Sequence, residues 1–86
     1  MLATLQKTKA KVIGAKQTTR ALNLDKVACC FVALDAQEHV TEPIRRLCEK
    51  RHVEIIEVPS MKELGVACGI DVGAAVAAIL IEEHTA

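Results

Sequence analysis

Pro59–Ile70 reads PSMKELGVACGI. Ser60 and Glu63 stand at the S-x-x-E spacing of a capping box, in which each side chain satisfies a backbone N–H that the first helical turn leaves free. Leu64, Ala67 and Cys68 then recur at helical spacing, and Gly69 stands where a helix is left through a left-handed residue. Apolar β-formers flank this helix on both sides: VEIIEV (Val53–Val58) before it and AAVAAILI (Ala74–Ile81) after it. The C-terminal third therefore reads strand–helix–strand.

The same alternation continues upstream. KVACCFVAL (Lys26–Leu34) is almost wholly apolar and rich in β-formers, as a strand covered on both faces must be. DAQEHVTEP turns the chain. Thr41 is expected to cap a helix that runs to about Arg51, with Glu42 and Pro43 in its first turn and Ile44, Leu47 and Cys48 inside. Further upstream the pattern predicts a helix over residues 2–10, a brief extended KVI (Lys11–Ile13), and a helix over residues 15–23 with Ala21 and Leu22 inward. Strands separated by helices imply βαβ units. The expectation is an α/β chain: one domain over residues 1–86, a three-layer α/β/α sandwich with a small mixed, mainly parallel sheet. The first short strand is expected to pair antiparallel at an edge.

Composition narrows the function classes. Apolar residues make up 51% of 86 residues, which suffices for a core, but aromatics are 1%, a single Phe31. No stretch approaches the roughly 20 apolar residues of a membrane span. Lys7, Lys9 and Lys11 interrupt any signal-peptide-like apolar region. The four cysteines, Cys29, Cys30, Cys48 and Cys68, form no Cys-x-x-Cys pair and have no histidine at ligand spacing. They read as small buried residues of a reducing cytosol, with no metal and no cofactor. Formal net charge is zero but polarised. Residues 1–26 carry six basic side chains against Asp25, +5, whereas residues 27–86 carry five against ten acidic ones, −5. An anionic partner at the N-terminal third is one reading, an ordinary solvated surface the other.

Nothing local supports catalysis. His39, His52 and His84 are scattered in polar stretches and read as solvated surface groups. Asp35, Glu38 and Glu42 cluster on a turn and a helix start, which acidic residues favour for dipole reasons alone. GIDVGAA has two glycines four apart, a weak phosphate signal that a helix cap and a tight turn also explain. The chain is read as a non-enzyme.

The chemistry-bearing segment is GAKQTTR (Gly14–Arg20). Gly14 permits close backbone approach, and the helix behind it offers free N–H groups and positive dipole charge. Lys16 and Gln17 leave its first turn, with Arg20 one turn further along. Lysine and arginine donate to guanine O6 and N7, and glutamine bonds both donors and acceptors on base edges. The segment therefore suits a reader of nucleic-acid groove edges. A solvated helix end is the alternative.

GAKQTTRAL together with VPSMKELGVACGIDVGAAVAAIL resembles the L-seven-Ae type of ribosomal protein, the kink-turn RNA-binding family, and within it the small bacterial YbxF-like branch. The resemblance covers about residues 4–81 and implies an α/β/α sandwich that binds sharply bent kink-turn RNA. Archaeal and eukaryotic members carry Gly-x-Asn-Glu-x-x-Lys at this helix entrance and read tandem sheared G·A pairs with it. By position those roles fall on Gly14, Lys16, Gln17 and Arg20, with Lys for Asn and Gln for Glu, as in the bacterial branch. The family's loop between last helix and last strand packs against the flipped-out nucleotide. Here that loop is Ile70, Asp71, Val72, Gly73 and Ala74, for which core packing of Ile70 and Val72 is the alternative. Met61 stands where the family often has lysine, and Lys62 follows it. Lys7, Lys9, Lys11 and Lys62 are further candidates for phosphate contact. The low aromatic content agrees with such a target, because single-stranded RNA is commonly held by stacking on aromatics. The implied partner is structured RNA with a kink-turn: ribosomal RNA, a riboswitch or another non-coding RNA, with ribosome association conceivable. A cytoplasmic monomer without a membrane partner is expected. The competing expectation is a ribosome-associated protein-interaction module with little RNA contact, and a weaker one is nucleotide binding by GIDVGAA.

Overall fold

The computed structural model describes residues 2–81. The elements run α1 (Leu2–Lys7), β1 (Lys11–Ile13), α2 (Ala15–Asn23), β2 (Val27–Ala33), α3 (Glu38–Arg51), β3 (Glu54–Val58), α4 (Met61–Cys68) and β4 (Val76–Leu80). They form a four-stranded sheet in the order β1-β4-β2-β3. The three-layer sandwich is the expected one. Successive side chains of β2 point to opposite faces: Cys29, Phe31 and Ala33 pack with Leu5, Leu64 and Cys68 of α1 and α4. Cys30 and Val32 pack with Leu22, Ile44 and Cys48 of α2 and α3. All four cysteines are buried and free. Burial pushes the Cys29 and Cys68 thiols up, and a hydrogen bond with Cys48 together with burial raises Cys30.

The sheet departs from "mainly parallel". β2 pairs β3 in parallel, but β4 pairs both β1 and β2 antiparallel. β1, β2 and β3 do run in one direction, as the helical crossovers require. β4 alone is reversed, and because it is inserted between β1 and β2 it makes two of the three pairings antiparallel. The cause lies in residues 69–75. Gly69 ends α4 at φ 79°, ψ 26°, and the chain then retraces the helix. Ile70 N–H donates to the Gly65 carbonyl (3.1 Å) and Ala74 N–H to the Met61 carbonyl (3.0 Å). The last strand therefore starts at the sheet end where β3 finished and must run backwards.

Two helix boundaries differ from the sequence expectation. α1 stops at Lys7, and Thr8 Oγ1 accepts from Ala10 N–H in the turn that follows. α3 begins at Glu38, not after Thr41; its N-cap is Gln37. Thr41 does not cap: it lies on the inner face of the helix and is buried, which requires the helix to have started a turn earlier. Pro43 consequently sits inside α3. His52 ends that helix in the left-handed region, φ 58°, and is exposed, as is His39. His84 lies outside the described residues.

Candidate functional site

Three strands end at one edge of the sheet and β4 begins there, so the segments that follow β1, β2 and β3 and precede β4 are neighbours. Gly14 follows β1, Asp35 follows β2, Ser60 and Met61 follow β3, and the 70–74 loop precedes β4. Gly14 N–H donates to the Val76 carbonyl (2.8 Å), which ties GAKQTTR to the end of that loop. The two motifs, 50 residues apart in sequence, thus share one face of the protein.

Gly14 is the N-cap of α2 at φ 98°, ψ 155°, a conformation essentially reserved for glycine. A Cβ there would meet nothing within 4 Å, so backbone geometry and not crowding demands the glycine. With no side chain at the cap, the N–H groups of the first turn of α2 are left for solvent or a ligand. Unlike α3 and α4, this helix has no acidic residue in its first turn. Thr18, Ala21 and Leu22 face inward, which turns Lys16, Gln17 and Arg20 outward, and all three are exposed. Among the described residues Arg45, Arg46 and Arg51 are committed to Glu57, Glu42 and Asp25 at 2.9–3.3 Å. Arg20 is the fourth arginine and makes no ion pair there, nor do Lys16 and Lys62.

α4 starts differently. Ser60 Oγ accepts from Glu63 N–H (3.1 Å), as the capping-box spacing predicts. Asp35 Oδ1, from the turn after β2, accepts from Met61 N–H (2.7 Å). The 70–74 loop rests on this helix through two glycines. A Cβ on Gly65 would overlap the Val72 carbonyl oxygen, and one on Gly73 would sit 3.1 Å from Met61 Cβ. The alternatives for the loop's apolar residues divide: Ile70 is half-buried against the core, whereas Val72 is 70% exposed. Asp71 and Gly73 are exposed, Met61 is half-buried and Lys62 is exposed.

The structure therefore brings the candidate residues to one end of the sheet, Gly14, Lys16, Gln17 and Arg20 on one side and Met61, Lys62, Ile70, Asp71, Val72 and Gly73 on the other. Lys7 and Lys9 are placed elsewhere. They precede β1, beside the far end of β4, where Ala10 accepts from Leu80 N–H. Lys11 is half-buried with its ammonium on the Leu5 carbonyl (3.2 Å). Asp35, which holds the start of α4, and Gly65, on which the loop rests, support these segments and were not singled out from the sequence. A glycine inside a helix pattern is the one signal that pointed to the second. A groove of about 530 Å³ beside α2, lined by Thr19, His39, Pro43 and Leu47 among others, holds none of the predicted site residues. No helix of the described residues is long and apolar enough to cross a membrane, and they contain no cluster of potential metal ligands.

The model of the ribosomal protein L7Ae/L30e/S12e/Gadd45 family matches residues 1–86. The chain is 51% identical over 74 residues to an RNA-binding protein of Caldanaerobacter subterraneus subsp. tengcongensis, covering 86% of this chain and 90% of that one. It is 45% identical over 69 residues to RNA-binding protein YbxF of Geobacillus stearothermophilus, covering 80% and 84%. In fold it is similar to the Giardia lamblia 15.5kD RNA binding protein, with a TM-score of 0.85 at 24% identity over 95% of this chain and 69% of that one.

Proposed function

The chain belongs to the ribosomal protein L7Ae/L30e/S12e/Gadd45 family, a non-enzymatic family, and on that premise we propose that it is a cytoplasmic RNA-binding protein that recognises and stabilises the kink-turn. Relatives at 45–51% identity are themselves named RNA-binding proteins. The observation that carries the proposal is the uncapped, acid-free entrance of α2, with Lys16, Gln17 and Arg20 exposed and neither Lys16 nor Arg20 in an ion pair among the described residues.

Lys16 and Arg20 donate to guanine acceptors and phosphate oxygens, and Gln17 bonds a base edge. Gly14, with open space beside it, lets the RNA backbone come close to the first-turn N–H groups. Val72, supported from below by α4, covers the extruded nucleotide, with Ile70 anchoring its loop in the core. Regular A-form RNA has a major groove too narrow for side chains. A bent element opens it, so a protein that binds only the bent state shifts the RNA population towards it.

The test is a titration of a fluorescently labelled kink-turn duplex against a matched duplex whose tandem G·A pairs are Watson–Crick, at one salt concentration because phosphate contacts make affinity salt-dependent. Preferential binding of the kink-turn, with bending, is expected. Equal weak binding to both would leave only a basic patch acting, and would bring forward the protein-interaction reading.

A further inference from the structure

We propose that Asp35 is a specificity-determining residue that keeps RNA phosphate away from the α4 side of the site, leaving that side to an uncharged base. The inference rests on the kink-turn reading above. It starts from an asymmetry across the sheet end. Two helices of similar length, α2 and α4, begin there, and each helix N-terminus attracts anions through its free N–H groups and dipole. At α2 the position is open, with no side-chain cap and no acid in the first turn. At α4 it is taken: Asp35 holds Met61 N–H at 2.7 Å and Ser60 holds Glu63 N–H at 3.1 Å. A carboxylate built into the protein stands where a phosphate oxygen would go.

The 70–74 loop lies on this same turn of α4. Ala74 N–H donates to the Met61 carbonyl at 3.0 Å, and Gly73 packs against Met61. The loop adds a second exposed carboxylate, Asp71, beside exposed Val72. The surface that meets RNA is therefore graded: lysine and arginine at α2, aspartates around an apolar tip at α4, with Lys62 the cation on that side. A phosphodiester placed on the loop faces the Asp35 and Asp71 carboxylates and finds the Met61 and Glu63 N–H groups of α4 already taken. An extruded base meets Val72 without that opposition. The gradient fixes which way round the RNA sits, and it weakens binding of duplexes that would lay backbone across both sides.

Wild type, Asp35→Asn, Asp35→Glu and Asp71→Asn are titrated with the kink-turn and with the matched Watson–Crick duplex at about 50 mM and 500 mM salt. Asparagine keeps an acceptor for Met61 N–H and loses only the charge. Asp71 makes no hydrogen bond among the described residues, so its substitution leaves the fold untouched. Asp35→Asn is expected to tighten the matched duplex by roughly two- to fivefold at low salt, the scale of one charge at a helix end, with kink-turn affinity within about twofold. Asp71→Asn moves the ratio the same way, Asp35→Glu keeps the wild-type ratio, and the difference fades at high salt as screening shortens to a few ångströms. An unchanged ratio in Asp35→Asn overturns the proposal whatever Asp71→Asn does, as does Asp35→Glu behaving like Asp35→Asn. If wild type itself does not prefer the kink-turn, the functional reading falls and takes this inference with it. A wild-type preference that neither asparagine variant alters removes only the inference.

Discussion

Replacing Gly65 by alanine sets two effects against each other. Gly65 lies in the interior of α4, where alanine is the better helix former by about 1 kcal/mol. Judged by the helix alone, the substitution stabilises. The new Cβ, however, would overlap the Val72 carbonyl oxygen and sit 3.0 Å from the Val72 carbonyl carbon and 3.1 Å from Gly73 Cα. All three atoms are backbone, so no side chain can rotate away and the loop itself must lift. Overpacking of this kind costs about 1–3 kcal/mol. If the loop instead peels off, it loses hydrogen bonds from Ile70 and Ala74 N–H, at about 0.5–1.5 kcal/mol each. Either route outweighs the helical gain or cancels it, leaving a net loss of roughly 0–2 kcal/mol. For a domain of this size each 1 kcal/mol moves Tm by about 4–8 °C. Urea denaturation gives the net term. Hydrogen exchange at the Ala74 amide reports the loop directly, and its protection is expected to drop by more than global stability does. Kink-turn affinity is expected to fall while binding to the matched duplex holds. A rise in stability with Ala74 as protected as in wild type would refute the reasoning, because it would mean that the loop does not rest on Gly65.

Other consequences are open to measurement. Arg20→Ala is expected to cost about 1–3 kcal/mol of kink-turn binding, and an unchanged Kd at fixed salt would remove Arg20 from the interface. Lys16→Ala is expected to lower kink-turn affinity and to reduce the slope of log K against log salt by about one, read from titrations across salt; an unchanged slope would remove Lys16 from phosphate contact. Ser60→Ala removes the cap of α4 and should lower unfolding free energy by about 1 kcal/mol, measured by urea denaturation. Alkaline pH acts through the buried thiols. Cys29 and Cys68 are raised from an ordinary 9.0 by burial, so above that pH the unfolded chain loses protons that the folded chain keeps. Stability is then fully present below about pH 9 and falls as pH rises beyond it; a urea midpoint that stays level from pH 8 to 10 would contradict this.

Much of the architecture was legible because its signals are local. The Ser60 cap, Gly69 and the apolar run of β2 each report on their own few residues and stand as read, except that the Glu63 carboxylate accepts from Ser60 Oγ (3.4 Å) where a reciprocal box would place the Ser60 N–H. The helix over Ala15–Asn23 was equally local. What escaped depended on distant contacts. Thr41 looked like a cap because threonine caps helices and Pro43 favours a first turn. Its actual place is set by burial on the inner face of α3, which no neighbouring residue announces. The reversal of β4 depends on backbone hydrogen bonds and on an absent Cβ at Gly65. Composition is silent on both, so alternation of strands and helices suggested a parallel return. The candidate site followed the same division. The positions of GAKQTTR and the 70–74 loop came from the motifs and the resemblance they carry. That Asp35, from a third segment, holds the start of α4 could not be read before the sheet order was known.

The reversal and the candidate site are one feature seen twice. Had the chain left α4 and crossed to the far end of the sheet, β4 would run parallel, and no loop would lie beside Gly14. By doubling back over Gly65 the chain brings residues 70–74 to the edge from which α2 departs, and the Gly14–Val76 hydrogen bond closes that edge. This explains how a chain with a single, fully buried phenylalanine could recognise RNA without stacking platforms. Its selectivity would come from the fixed separation between a cationic helix end and an apolar loop tip, both mounted on the same sheet. Such a device rewards an RNA whose backbone and extruded base already stand at that separation. A flexible strand must give up conformational entropy to match it, so binding strength should follow how completely the RNA is bent beforehand. RNAs pre-folded by magnesium are accordingly expected to bind with faster association than the same RNAs left extended, as read by stopped-flow fluorescence. Equal association rates for the two would mean that the protein bends the RNA after docking, and the rigid separation would then not be what selects.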